Sequence, residues 1–287
     1  MSENKANINW FPGHMAKTRR EMSEKIKLVD MVIEIRDARI PESSVNPVIN
    51  EVCGNKRRLI VLAKKDKAEE KLTERWIEKL QAEGFYALAL DLLHDKVAKI
   101  IDKACCEIMA DKIAKYKAKG LKNVEIRAMV VGIPNVGKST MINQFMKRKI
   151  AKTADMPGVT RNLSWVRVSD SVVLLDTPGV LWPKFEDPEV AYRLAVVGSI
   201  RDDILPLEDV TLFALDFLQK YHFEKLQKRF YVTEKTDSHT LMRQIAVNRK
   251  LLQADESIDL KRTYLLILRE IRDNDLGRIT LERPDED

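Results

Sequence analysis

Cysteine is scarce in this chain, long apolar runs and a strong excess of one charge are missing from it, and each shortage removes a class of protein. Only three cysteines occur, Cys53, Cys105 and Cys106, with no CxxC pair and no Cys/His ligand spacing. A disulfide framework is thereby excluded, and so is a cysteine zinc site; the pattern suits a reducing compartment. No apolar stretch approaches the roughly eighteen residues needed to cross a bilayer, and "MSENKANINWFPGHMAK" has no apolar leader region. The protein is therefore expected to be cytoplasmic and without a membrane partner. Internal repeats and low-complexity segments are absent too.

What is present is an ordinary globular composition of 287 residues, 45% of them hydrophobic, enough for a sizeable core. Fifty basic against 44 acidic residues leave a formal charge of +6. This modest excess favours acidic partners, nucleic acid above all, although a solvated basic surface has the same composition.

Short runs rich in Val and Ile recur at residues 31–35, 59–63, 86–90, 127–133, 165–168 and 171–176. They alternate in part with helical patterns at 68–84 and 96–120, each closed by a glycine suited to a C-cap. The expected fold class is α/β, with a mostly parallel six-stranded sheet covered by helices. Beyond about residue 185 the strand signals fade. Three amphipathic helices are expected over 206–230, 238–253 and 257–275, and the acidic tail "ERPDED" is expected to fray. The domain boundaries expected are 1–185 and 186–287.

The firmest motif is "VVGIPNVGKST", a strand followed by G-x-x-x-x-G-K-S and an amphipathic helix. In such a loop the backbone from Asn135 through Val136, Gly137, Lys138, Ser139 and Thr140 surrounds a phosphate. Lys138 neutralises β and γ oxygens, and Ser139 ligates magnesium. Downstream, "PGVTR" offers Thr160 to the magnesium shell, and "VVLLDTPG" offers Asp176 to the metal through water and the Gly179 N–H to a γ-phosphate. Three phosphate-reading elements in this order predict an NTPase.

Base reading selects the nucleotide. "LIVLAKKD" carries four apolar residues straight into Ala63, Lys64, Lys65 and Asp66, which match the guanine-reading N-K-x-D except at the first position. Asp66 can accept from guanine N1–H and the exocyclic amine while the Lys64 stem lies along the base. A second candidate, "EKTD" at 234–237, sits among helices, where Asp237 or Ser238 reads as a helix cap. The base loop thus precedes the phosphate loop, and the order is permuted.

That order, with "WFPGHMAK" at 10–17 and "DARIP" at 37–41, resembles the YlqF/RbgA family of circularly permuted ribosome-assembly GTPases over nearly the whole chain. The resemblance implies a circularly permuted P-loop GTPase domain followed by a small all-helical domain. It also implies GTP hydrolysis to GDP, action late in maturation of the large ribosomal subunit, and contact with ribosomal RNA. DNA is not an expected partner, and the protein is expected to be monomeric off the ribosome. Switch motion at 176–185 would pass directly into the helical domain.

Val180 stands where Ras-like enzymes place a water-orienting Gln. The resemblance offers His14 as the catalytic substitute; the other reading makes His14 a cap of the following helix. Asn135, by similarity to cation-dependent GTPases, offers a potassium ligand, and otherwise a stabiliser of the loop turn. Two departures from the pattern stand out. Ala63 cannot make the hydrogen bond of the usual Asn, a loss of about 1 kcal/mol. Asp91 and Leu92 occupy the second base loop, where a small residue is usual, so Leu92 would crowd the base. Basic segments at 115–122, 148–152, 225–229, 243–250 and 260–264 are compatible with RNA phosphates and equally with solvated helix faces. The alternative to a working GTPase is a nucleotide-impaired RNA-binding scaffold with the same fold.

Overall fold

The computed structural model describes residues 12–149, 165–175, 187–204 and 206–285. The chain divides into two compact units, Trp10–Pro183 with Glu282–Asp287, and Met1–Asn9 with Lys184–Leu281.

The first unit runs α1 (Pro12–Lys25), β1 (Met31–Asp37), α2 (Pro47–Cys53), β2 (Arg57–Ala63), α3 (Glu70–Ala82), β3 (Tyr86–Leu90), α4 (Val97–Ile108) and α5 (Ala110–Ala118). It continues with β4 (Ile126–Gly132), α6 (Lys138–Lys149), β5 (Trp165–Arg167) and β6 (Val172–Leu175). The sheet order is β3-β2-β1-β4-β6-β5. Every pair is parallel except β5 with β6. The inner strands are covered on both faces, which is why they read as largely apolar runs rather than alternations, and where β1 buries Glu34 and Arg36 the two pair at 2.8 Å. Met22, Val29, Val32, Ile49, Met129 and Val131 form one core. Ala38, Ile60, Leu62, Trp76 and Leu80 form another beneath α3.

All six expected strands form. The single helix expected over 96–120 is broken at Met109. There the Arg57 guanidinium donates to the Ile108 carbonyl and pairs with Asp111 at 2.6 Å. A side chain from β2 thus takes the carbonyl that a continuous helix would use. The break also falls where the apolar face ends, since α4 buries Ile101, Cys105 and Ile108 and α5 buries nothing. Cys53 and Cys105 are buried thiols, Cys106 is half-buried, and all three are free.

The second unit is helical: α7 (Pro188–Val196), α8 (Leu207–Tyr221), α9 (Phe223–Phe230), α10 (Ser238–Asn248) and α11 (Leu260–Arg272). Helix α8 packs against the other four. The helix expected over 206–230 is two, because His222 is buried with φ −141° and re-aims the chain so that Leu226 and Phe230 enter the core. Helix α7 went unanticipated, although Asp187 accepts from the Glu189 N–H and Pro188 fills its first turn, a readable start signal. Asp237 caps α10 by accepting from the Thr240 N–H at 2.9 Å, which makes "EKTD" an interhelical turn. Glu270, 3% exposed, is held by Arg229 at 2.8 Å and Arg249 at 3.2 Å.

Over its described residues, 282–285, the tail is tied down rather than frayed. It belongs to the first unit, where the Trp76 indole N–H donates to the Glu282 carbonyl at 3.2 Å and Lys79 to the Pro284 carbonyl at 3.1 Å. Among the described residues no helix is long and apolar enough to cross a membrane.

Candidate functional site

Parallel pairing brings the carboxyl ends of the strands to one edge of the sheet. Ile35 lies opposite Gly132, Asp37 opposite Ala63, and Ala63 opposite Leu90. In open α/β sheets this edge is where ligands bind, and here both the phosphate loop and the two base loops leave from it.

The phosphate loop is built around glycines that nothing else can replace. A Cβ on Gly132, φ +151°, would stand 2.5 Å from the Ile35 carbonyl oxygen. Gly137, φ +116°, lies against both base loops, since a Cβ there would meet Leu92 Cδ1 at 2.7 Å and Ala63 Cβ at 3.8 Å. Asn135 is exposed and adopts the left-handed conformation, φ +57°. Val136 is fully buried, so its side chain anchors the loop and leaves only backbone for a ligand. Lys138, 7% exposed, donates to the Gly132 carbonyl at 3.0 Å and the Ile133 carbonyl at 2.6 Å. Its ammonium is held across the loop, where an anion can recruit it. Ser139 is exposed and Thr140 half-buried in the first turn of α6, whose leading N–H groups favour negative charge.

The first base loop starts at Ala63, fully buried, whose carbonyl accepts from the Ala38 N–H at 2.8 Å. Lys64 is left-handed, φ 60° and ψ 36°, a conformation that costs a non-glycine residue about 1 kcal/mol. Its ammonium reaches Asp37 Oδ2 at 3.0 Å. Asp37, wholly buried at the end of β1, also takes the Arg39 guanidinium in a bidentate pair at 2.9 and 2.7 Å. Burial alone would raise the Asp37 pKa, but Arg39 and Lys64 outweigh it and hold the carboxyl well below the ordinary carboxylate range. Arg39 in turn feels the charge of Asp66, which is half-buried. Lys65 pairs with Asp95 at 2.7 Å.

In the second base loop the Asp91 carboxylate is used locally. It accepts from the Leu93 and His94 N–H groups at 2.9 and 3.2 Å and pairs with the His94 ring at 2.6 Å. Those bonds lower the Asp91 pKa against the effect of burial and raise that of His94. Leu92 is 5% exposed and points at Gly137, whereas Leu93 is exposed.

The structure therefore brings Ala63 and Leu92 against Gly137 of the loop at 132–139, while Lys64 is held by Asp37 and Asp66 lies near Arg39. His14 falls in the first turn of α1, its side chain outside the described residues, as are Thr160, Asp176 and Gly179. Asp37 and Arg39 were legible only as part of a signature. An acidic residue at a buried strand end, two positions from an arginine, was the signal that could have singled them out.

A family model described as a 50S ribosome-binding GTPase matches residues 127–250, beginning within β4. Ribosome biogenesis GTPase A of Priestia megaterium is 47% identical over 97% of this chain and 98% of its own length. Mitochondrial ribosome-associated GTPase 1 of Bos taurus is 32% identical over 85% of this chain and 76% of its own. A GDP-bound structure of YlqF from T. maritima has a TM-score of 0.68 at 25% identity, covering 93% of this chain and 100% of that one.

Proposed function

We propose, for a chain that belongs to the ribosome biogenesis GTPase A family, that it binds GTP across the carboxyl ends of β1 to β4. On this reading it hydrolyses GTP to GDP and phosphate in the cytoplasm, during late maturation of the large ribosomal subunit. The observation that carries the reading is the meeting of both base loops with the phosphate loop at Gly137. Loops from three strands have no structural need to converge on a glycine with φ +116°. A guanine nucleotide, which has a base at one end and phosphates at the other, gives them one.

The roles follow from the motifs. The N–H groups of the loop and of the first turn of α6 cradle the β-phosphate, and Lys138 exchanges its carbonyl partners for phosphate oxygens. Asp66 accepts from the guanine edge while Lys64 lies along the ring. An exposed Ser139 hydroxyl beside a cradle without a Cβ fits a phosphate-bound magnesium ion, with Thr160 and Asp176 completing its donor set. Magnesium, when bound, offsets charge on the β and γ oxygens. Asn135, exposed in the loop, would hold a potassium ion. Gly179 offers its N–H to the γ-phosphate, and His14 orients the attacking water.

The partner is ribosomal RNA. Exposed Lys115, Lys117, Lys119 and Lys122 follow one another at the end of α5, and Lys228, Arg243, Lys250, Lys261 and Arg262 are exposed on the helical unit. Arg229 and Arg249, in contrast, hold Glu270 and serve the fold. The scaffold alternative is disfavoured, since these relatives bear the names of GTPases over most of their length.

The deciding experiment measures binding of GDP, GTP and ATP, then GTP turnover with and without large ribosomal particles, in potassium and in sodium. Guanine-selective binding with particle-stimulated turnover is expected. His14→Ala should lower the stimulated turnover and spare binding. Absence of guanine selectivity returns the protein to the scaffold reading.

A further inference from the structure

The C-terminal segment returns to the first unit and closes on the loop that follows β1. Glu282, 7% exposed, accepts from the Glu42 N–H at 2.7 Å and the Ser43 N–H at 2.8 Å, one through each carboxylate oxygen. The segment is fixed further by Trp76 on its Glu282 carbonyl, Lys79 on its Pro284 carbonyl, and an Arg75–Asp285 ion pair. A carboxylate this buried, with both oxygens accepting from consecutive backbone amides, is a built anion seat occupied by the chain itself.

From that seat the contacts lead to the base loop. Ser44, 1% exposed, donates its hydroxyl to the Ile40 carbonyl at 2.6 Å and accepts from the Asp37 N–H at 3.1 Å. Asp37 fixes Arg39 through its guanidinium and also through the Arg39 N–H, which reaches Oδ1 at 3.0 Å. The same carboxylate holds Lys64 at 3.0 Å, and the Arg39 charge faces Asp66. Asp37, Arg39, Ile40, Ser43 and Ser44 are nearly inaccessible to solvent, and only Glu42, which contributes its N–H, is exposed, so the loop moves as a packed piece. In chain order Lys184–Leu281 of the second unit lies between two segments of the first.

We propose that Glu282 is a positioning residue for guanine recognition. Its carboxylate seats the loop at 38–46, the loop fixes Asp37 and Arg39, and these two hold Lys64 and Asp66 in the conformation that reads the base. The inference rests on residues 63–66 being the base-reading loop. Lys64 needs such a brace because its left-handed backbone is not self-stabilising and residue 63 is an alanine whose side chain offers no polar tie.

The test uses the full chain and four nucleotides, GDP, ADP, GTP and IDP, the last lacking the exocyclic amine. Glu282→Gln leaves one acceptor facing two donors. It should weaken GDP by about fivefold to tenfold, lower the preference for GDP over IDP, raise KM for GTP and leave kcat within about twofold. Ser44→Ala, at the other end of the path, should act in the same direction, and the double variant should lose less than the product of the two. Thermal unfolding of each variant separates a misfolded protein from a displaced loop, and Ser44→Ala keeps the test open where Glu282→Gln does not fold. Asp66→Ala is the control for the reading beneath the proposal. When Asp66→Ala abolishes the preference for GDP over ADP but both path variants fold and keep wild-type GDP and IDP affinities, the proposal is overturned and the base loop stands. When Asp66→Ala changes nothing, the base loop itself is wrong and the proposal falls with it.

Discussion

Ala63→Asn restores the residue that guanine-reading loops carry, and the structure says why it should not work alone. Ala63 is fully buried at the end of β2, and the space beside Gly137 is shared with Leu92, whose Cδ1 lies 2.7 Å from where a Gly137 Cβ would stand. An Asn carboxamide at 63 would gain one hydrogen bond to the purine and one to the phosphate loop, together about 2 kcal/mol. Forcing its extra volume past Leu92 costs about 1–3 kcal/mol. The two nearly cancel, so the single variant should bind GDP within about threefold of wild type. With Leu92→Ser making room, the gain is released: Ala63→Asn in that background should tighten GDP by about tenfold relative to Leu92→Ser alone. Calorimetric titration of GDP, with ADP as the control nucleotide, reads both differences. Equal GDP affinity for Leu92→Ser and the double variant would refute the reasoning, since it would leave position 63 without access to either partner.

Other perturbations follow from the same geometry. Gly132→Ala should cost about 3 kcal/mol of stability, seen as a lower denaturation midpoint, because its Cβ meets the Ile35 carbonyl oxygen and φ is +151°. Glu270→Ala should destabilise the helical unit by about 3 kcal/mol, because Arg229 and Arg249 lose their shared carboxylate. Burial pushes the Cys53 thiol up to about 11 and that of Cys105 up to about 12, from an ordinary value of 9.0. Folded-state values raised in this way give stability that is whole below pH 9.0 and is lost as pH climbs toward 11 and 12. Urea midpoints should therefore fall over that window, and Cys53→Ala with Cys105→Ala should flatten the decline. Native protein at pH 8 should resist alkylation at both thiols until unfolded.

Much of this was legible because the strands of a doubly covered sheet must be apolar on both faces. Residues 59–63 and 127–132 could hardly be anything else. The phosphate loop was legible for a different reason: its glycines answer to backbone constraints, the Ile35 carbonyl at Gly132 and the φ of +116° at Gly137, that disfavour any other residue. Helix ends were less so. The break at Met109 depends on Arg57, a residue distant in sequence, and the break at His222 on where Phe230 finds its core. The acidic tail misled because charge near a terminus usually means solvent. Here Glu282 is buried against amides that lie far back along the chain. The motif "DARIP" was visible as a signature, but no local pattern shows that Asp37 will meet Lys64. That contact exists only once β1 and β2 pair in parallel with Asp37 opposite Ala63.

The permuted order puts β1 in a position that the motifs alone do not reveal. It lies between β2, which leads into the base loop, and β4, which leads into the phosphate loop. Its carboxyl end touches both: the Ile35 carbonyl forbids a side chain at Gly132, and two residues later the Asp37 carboxylate holds Lys64. These are adjacent points on one buried strand, so in the proposed nucleotide site the separation between the two halves is set by β1 rather than by either loop. A displacement of its end cannot loosen Lys64 without also moving the backbone against which Gly132 packs. Control over the loop after β1 is consequently control over base and phosphate binding together, which is what makes the carboxylate of Glu282, seated on that loop, a sensitive place to act.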